Sequence, residues 1–309
     1  MWSIIVCLIQ IVLIPFASPL FIGIVRKIKA IFQNRTGASI FQPYRDLRKL
    51  LNKDEVISAD ASWIFKFAPY VIFAITIIIG ASIPVFSTAF ISNPLGDFLT
   101  IVYLIALSTF FLALAGMDTG SSFGGFGSSR EMTVAAVTEG GLIFSLLVLA
   151  IEAHSSNLFI ISNAISSISI ISFTPIFLAF LAFIIAMLAE TARFPFDNPS
   201  THLELTMIHE AMILEYSGKR LALIEWAAAN KFLIFLTLGA NLFFPWGIDT
   251  TAGFISIVIA VGLIFIKILI LCLFVAILES SMAKFRFFKL PDLLYISFIL
   301  SIISISLIL

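Results

Sequence analysis

Charged side chains are scarce in this chain. They make up 12% of its 309 residues, where a soluble domain carries about a quarter. Set against 61% apolar residues and a mean hydropathy of +1.13, this excludes a water-soluble globular protein. Net charge is missing as well. The 18 basic residues are matched by 18 acidic ones, so there is no basic excess of the kind that nucleic-acid binding uses. Cysteine is down to Cys7 and Cys272, both inside long apolar runs. With no CxxC or four-Cys pattern the chain holds no iron–sulfur cluster of its own, and both thiols read as small buried hydrophobes. No internal repeat is visible, so the inverted-repeat signature of many transporters is lacking. No basic residue precedes the first apolar run and no cleavage motif follows it cleanly, which predicts a retained span rather than a signal peptide.

What is present is a series of apolar runs long enough to cross a bilayer. Ser3–Val25 would be about 34 Å long as a helix. It contains Pro15 and Pro19, which neighbouring helices can accommodate by bonding the carbonyls that proline frees. Further spans are expected at about Phe67–Phe86, Phe98–Met117, Glu131–Ile151, Phe173–Ala189, Leu221–Phe243, Ala252–Leu278 and Leu290–Leu309. Ser155–Ser172, rich in Ser and Ile, reads as a re-entrant or interfacial segment. The fold class is therefore an all-α integral membrane protein. It forms a single membrane domain over 1–309, with about eight transmembrane helices and an amphipathic interfacial helix in the first cytoplasmic loop.

The loops set the orientation. All of the 18 Lys and Arg except Lys231 and Lys267 fall in the first, third, fifth and seventh connections or their flanks, and none in the second, fourth or sixth. By the positive-inside rule the odd loops, about 26–62, 118–130, 191–220 and 279–289, are cytoplasmic, and both termini are on the other side. In the first loop Ile40, Phe41, Tyr44, Leu47, Leu50 and Leu51 recur at helical spacing between Arg45, Asp46, Arg48, Lys49 and Lys53. This is the pattern of a helix lying at the interface. It serves either as a surface connector or as a docking platform for a soluble partner, with Arg35, Arg45, Arg48 and Lys49 as the docking charges.

The longest polar segment after that loop is Glu190–Glu225. Its carboxylates, Glu190, Asp197, Glu204, Glu210, Glu215 and Glu225, outnumber Arg193, Lys219 and Arg220. Pro195 and Pro199 predict a turn over Phe194–Pro199. A second helix is expected from an N-cap at Ser200, with Glu204 and Glu215 sharing a face, to a C-terminal glycine at Gly218. His202 and His209 are roughly aligned, but not at the i, i+4 spacing of zinc helices, so no metal site is assigned. Within the spans, Glu139, Lys231 and Lys267 sit at membrane depth. There each charge costs roughly 2.5–3.5 kcal/mol and usually faces a polar interior. Desolvation brings carboxylate and lysine pKa values toward a range where protons exchange; the alternative is structural pairing between helices.

These motifs are familiar in combination. Glu190-Thr-Ala-Arg193-Phe-Pro195-Phe-Asp197 resembles the ExxRxPFD motif of the complex I membrane protein that holds the quinone site. Glu215-Tyr216-Ser217-Gly218 matches its EYSG, and Gln33-Asn34-Arg35-Thr36-Gly37 and Phe41-Gln42-Pro43 resemble its first-loop segments. Arg130, with Glu139 in the fourth span, and Lys267 also match. The chain departs from that pattern at Ser200 and His202, where carboxylates are usual, at Glu279, where an arginine is usual, and in a longer segment between Glu204 and Glu215. The run His202–Trp226 and Ser281–Arg286 instead resemble the membrane subunit of hydrogenase-4 and formate hydrogenlyase complexes, the energy-converting NiFe hydrogenases.

The resemblance implies a non-catalytic coupling subunit of a multi-subunit oxidoreductase in the bacterial or archaeal cytoplasmic (inner) membrane. It would have no cofactor on this chain; Ni-Fe and iron–sulfur centres would sit in partner subunits. Its partners would be hydrogenase large and small subunits, antiporter-like membrane subunits and the lipid bilayer, without nucleic acid. The departures argue against a bound quinone. The implied proton relay runs through Glu139, Glu190, Asp197, Glu204, Glu215 and Lys267, with Arg130 and Arg193 as charge partners. Two other readings stay open: the quinone-site membrane component of an NADH-quinone oxidoreductase-like complex, and a stand-alone cation or proton transporter.

Overall fold

The structure, a computed structural model, describes residues 2–88, 95–167, 173–197, 207–250 and 253–308. In chain order the helices are α1 (Trp2–Phe32), α2 (Gln42–Leu51), α3 (Trp63–Ser82), α4 (Phe98–Asp118), α5 (Ser122–Glu152), α6 (Leu158–Ser166), α7 (Thr174–Glu190), α8 (His209–Ile213), α9 (Gly218–Leu242), α10 (Phe254–Ser281) and α11 (Leu290–Ile308). The all-α membrane class is as the sequence predicts. Seven of the described helical stretches are long and apolar enough to cross a membrane. The eighth crossing is α7, only 17 residues long.

That α7 crosses follows from how the loops are joined. The second, fourth and sixth connections are stitched together on one face. Thr88 and Asp249 exchange backbone bonds with the opposite loop (Thr88 N to Asp249 O 2.8 Å, Asp249 N to Phe86 O 3.0 Å), and Leu158 N donates to Gly96 O at 2.8 Å. α6 joins this face, because the Thr88 hydroxyl donates to Asn163. Both ends of the chain approach it too: Gln10 accepts from Val85 N, and the Ser304 hydroxyl donates to Pro175 O. The remaining loops meet on the opposite face. Ser62 caps α3 and bonds Asp118 at the end of α4 (2.6 Å), Ser217 bonds Val56, and Phe285 N donates to Pro195 O. α7 starts on the first face and ends toward the second.

Polar side chains join the crossings inside. Pro19 has no N–H for the carbonyl four residues back, which is that of Pro15. The Trp226 indole of α9 donates to that carbonyl at 2.8 Å, the compensation expected of a membrane proline. One helical turn further, Asn230 accepts from Ser18 (2.6 Å) and donates to Thr76 (3.1 Å), tying α9 to α1 and α3.

α1 runs on to Phe32, past the expected end at Val25, and three further boundaries differ in ways that bear on the packing. α5 starts at Ser122 instead of Glu131, so the third loop shrinks to a few residues. Its glycines are helical, and they permit close packing: a Cβ at Gly124 would fall 2.1 Å from the carbonyl oxygen of Gly116 in α4. Gly218 opens α9 and does not close the helix before it. It has φ +55°, and a Cβ there would lie 2.8 Å from Glu55. Of the helix expected from Ser200, residues 198–206 lie outside the described residues. The described part is the short α8, followed by a turn at Leu214 and Glu215. A continuous helix that would align Glu204 with Glu215 is therefore broken. In the first loop α2 appears as expected, with Pro43 and Leu47 buried beneath it.

The loop joints fix relative sidedness. Accessibility tags inserted after Lys53 and after Lys219 are expected to report the same side of the membrane, and one after Gly247 the opposite side. A shared readout for Lys53 and Gly247 would refute the alternation.

Candidate functional site

Glu190 ends α7 and is buried. Lys231, near the midpoint of α9, donates to its carboxylate at 2.8 Å, and Thr109 of α4 bridges the two at 3.2 and 3.3 Å. Lys231 lies 13 residues into α9, about 20 Å from the start of that helix. The pair is thus sunk deep in the bundle, and α7 is short because it stops at that depth. The chain then returns toward the surface through the ETARFPFD stretch, whose Phe194–Pro195 peptide is cis. Separating two buried charges by removing one typically costs about 3–5 kcal/mol, because the survivor stays uncompensated.

The same stretch places two more ion pairs above the first. Arg193 bonds Glu279 of α10 at 2.6 Å and stacks over the Phe232 ring at 3.6 Å. Lys29 of α1 closes on the other Glu279 oxygen at 2.6 Å. Asp197 accepts from Lys284 (2.6 Å) and from the backbone N–H groups of Ile208 and His209 (3.2 and 3.0 Å). Asp197 therefore fixes the start of α8 while the seventh loop fixes Asp197. Glu279, a departure from the complex I pattern, is the partner that Arg193 needs.

Two cavities meet at this point. The larger, about 1150 Å³, opens between the first and fifth loops, and Asp46, Glu225, Glu210, Arg26 and Arg35 are among the charged groups that line it. The smaller, about 50 Å³, is lined by Glu131, Glu190, Lys231, Thr109 and His209, room for a few waters among polar partners. In the sequence Glu131 stands only as the first residue of a span. Continuing α5 back to Ser122 sets it two and a half turns inside the helix and within the electrostatic reach of Lys231, Glu190 and Asp197.

Glu139, half-buried on α5, is under the influence of Glu190 and Lys231. Its expected sequence partners bond elsewhere: Lys267 donates to Phe244 O at 2.7 Å, and Arg130 reaches Met207 O at 3.4 Å between the Phe126 and Phe287 rings. Glu215 is exposed. Within its motif Tyr216 is buried, stacked on Phe65 at 3.9 Å and donating to the Phe65 carbonyl. Glu204 and His202 lie outside the described residues. Arg35, Arg45, Arg48 and Lys49 are all exposed around α2.

Known proteins resemble this chain along almost its whole length. The family model for NADH dehydrogenase matches residues 4–309. The chain belongs to the NADH dehydrogenase family. Among its relatives, hydrogenase-4 component C of Escherichia coli K12 is 34% identical over 98% of this chain and 95% of its own length. Formate hydrogenlyase subunit 4 of the same strain is 32% identical over 96% and 95%. NADH-quinone oxidoreductase subunit 8 of Rhodothermus marinus is 29% identical over 71% and 66%. A chain in the structure of an archaeal respiratory membrane complex, the membrane-bound sulfane sulfur reductase, shares the fold with a TM-score of 0.79 and 21% identity, covering 99% of both chains.

Glu210 provides a pH test of this region. Burial, then the nearby Glu225 and Asp197, push its pKa up to about 7, against the pull of Arg26. The folded state thus keeps this proton to higher pH than the unfolded chain does. Glu210 therefore costs stability as pH rises from the ordinary carboxylate range to about 7. Glu210→Gln is expected to raise the thermal midpoint in detergent at pH 8 and to leave it unchanged at pH 4. An equal shift at both values would contradict the assignment.

Proposed function

We propose that this chain is the membrane anchor and proton-relay subunit of an energy-converting hydrogenase complex of the formate hydrogenlyase type. At the coarser level, it is a membrane subunit of the complex I-like kind. The observation that carries the finer reading is the sunken Glu190–Lys231 pair, joined by Glu131 in a small polar cavity and by Glu139 beyond it. A chain of titratable groups from a charged face to membrane depth has the geometry for moving protons, and structural pairing alone does not call for Glu131 and Glu139. Asp197 and Arg193 would position the outer end, and Glu215 and Glu204 would belong to the entry. Lys267, held by a backbone carbonyl, would serve on the exit side.

Redox chemistry is assigned to partner subunits with Ni-Fe and iron–sulfur centres, docked on the basic face that the positive-inside rule makes cytoplasmic, with both termini on the other side. Antiporter-like membrane subunits are the proposed receivers. The names of the two more similar relatives, a component and a subunit, favour a complex over a stand-alone transporter. The quinone-site reading rests on the larger cleft, whose volume exceeds the usual 300–1,000 Å³ of ligand pockets. The higher identity and fuller coverage of the hydrogenase-4 and formate hydrogenlyase relatives, 34% and 32% against 29%, favour protons as acceptors.

Glu139→Gln keeps size and hydrogen bonding and removes titration. It is expected to leave assembly intact and to lower coupled ion translocation about a hundredfold or more, the order that a lost proton-transfer group costs, with a smaller loss of electron transfer. Proton uptake and redox turnover in membrane vesicles measure both; normal pumping would make Glu139 a structural group. Separately, reversing Arg45, Arg48 and Lys49 together is expected to release the soluble arm from inserted membrane subunits. Co-purification of the arm at wild-type level would reduce α2 to a surface connector.

A further inference from the structure

Among the described residues the two cavities share four lining residues: Thr191, His209, Ile224 and Ala228. Ile224 and Ala228 are apolar. The Thr191 hydroxyl donates to Met187 O at 2.6 Å, so its proton is committed to the backbone. His209 is the remaining group, and an imidazole can take a proton at one nitrogen while giving one from the other.

We infer that His209 is the proton-transfer link between the open charged cleft and the buried Glu190–Lys231–Glu131 cavity. The inference rests on the relay reading above and names the residue where that relay crosses from water into the bundle.

The surroundings suit that task. The backbone of His209 is fixed by Asp197, which Lys284 holds in turn. Lys231 from α9, Glu190 from α7 and Glu131 from α5 face the inner cavity, while Glu210 on the same helix and Glu225 of α9 face the cleft. Burial, followed by the positive charge of Lys231, pushes the His209 pKa down to about 4, against Asp197 and Glu190. The ring is therefore neutral at ordinary pH, with one N–H and one bare nitrogen. In the transfer, the bare nitrogen takes a proton from cleft water and the other nitrogen gives its proton, through water, to an inner carboxylate. One N–H bond forms and one breaks, the ring ends in its other tautomer, and the reverse exchange or a ring flip resets it.

The test uses the assembled complex in membrane vesicles. His209→Gln preserves hydrogen bonding but cannot exchange tautomers in this way. It is expected to reduce proton uptake about a hundredfold or more. His209→Gly is expected to show the same loss, and added imidazole to restore uptake. Wild-type uptake in His209→Gln overturns the inference, and so does a loss that imidazole fails to relieve, which would mark a structural histidine. Glu139→Gln separates this failure from that of the relay. If His209→Gln is normal and Glu139→Gln impaired, the link falls and the relay stands; if both pump normally, the relay falls too.

Discussion

A carboxylate and an ammonium group buried at the depth of Lys231 must be paired, and much of the local structure follows from that need. Glu190 can meet Lys231 only if α7 ends well below the surface. This makes α7 the shortest of the described crossings and sends the following residues back up through the bundle. Arg193 and Asp197 are then carried past α10 and the seventh loop, where Glu279 and Lys284 neutralise them. Each pair costs desolvation and gains Coulomb energy in a medium of low dielectric, so the gain is realised only with good geometry. The distances of 2.6–2.8 Å and the added bonds from Thr109, Ile208 and His209 supply it.

The two faces of the bundle are held by different forces. On the face where both termini lie, backbone groups of neighbouring loops bond one another directly, and hydroxyls and amides fill in. On the other face ion pairs join the first, fifth and seventh loops. Among the described residues, ion pairs between loops are thus gathered on one side, next to the larger cleft and the exposed basic flank of α2. A change of protonation there acts on several loops at once.

The crossings were legible in the sequence because apolar run length and the alternation of basic loops are both direct consequences of the bilayer. So were α2, from its period, and the accommodated prolines, although which side chain would take the Pro15 carbonyl was not. The site was legible in part. Glu190, Arg193 and Asp197 announce themselves by motif, but their partners lie 41, 86 and 87 residues away, and such pairings depend on how helices pack. Glu131 was hidden by the glycine run before it, which reads as a loop when the packing against Gly116 is unknown. Gly218 has the same ambiguity, since a glycine suits a helix end or a close approach equally well.

The shortness of α7 has an electrical consequence. A membrane under potential drops its voltage across the hydrocarbon, and a charge carried the whole way gains or loses about 2.3 kcal/mol per 100 mV. A charge at Lys231, near the middle of α9, stands part-way down that drop. At half the distance the field contributes about 1 kcal/mol per 100 mV. The sunken pair is thus placed where a membrane potential acts on each of its charges directly, so a strongly energised membrane bears on the pair without touching any loop.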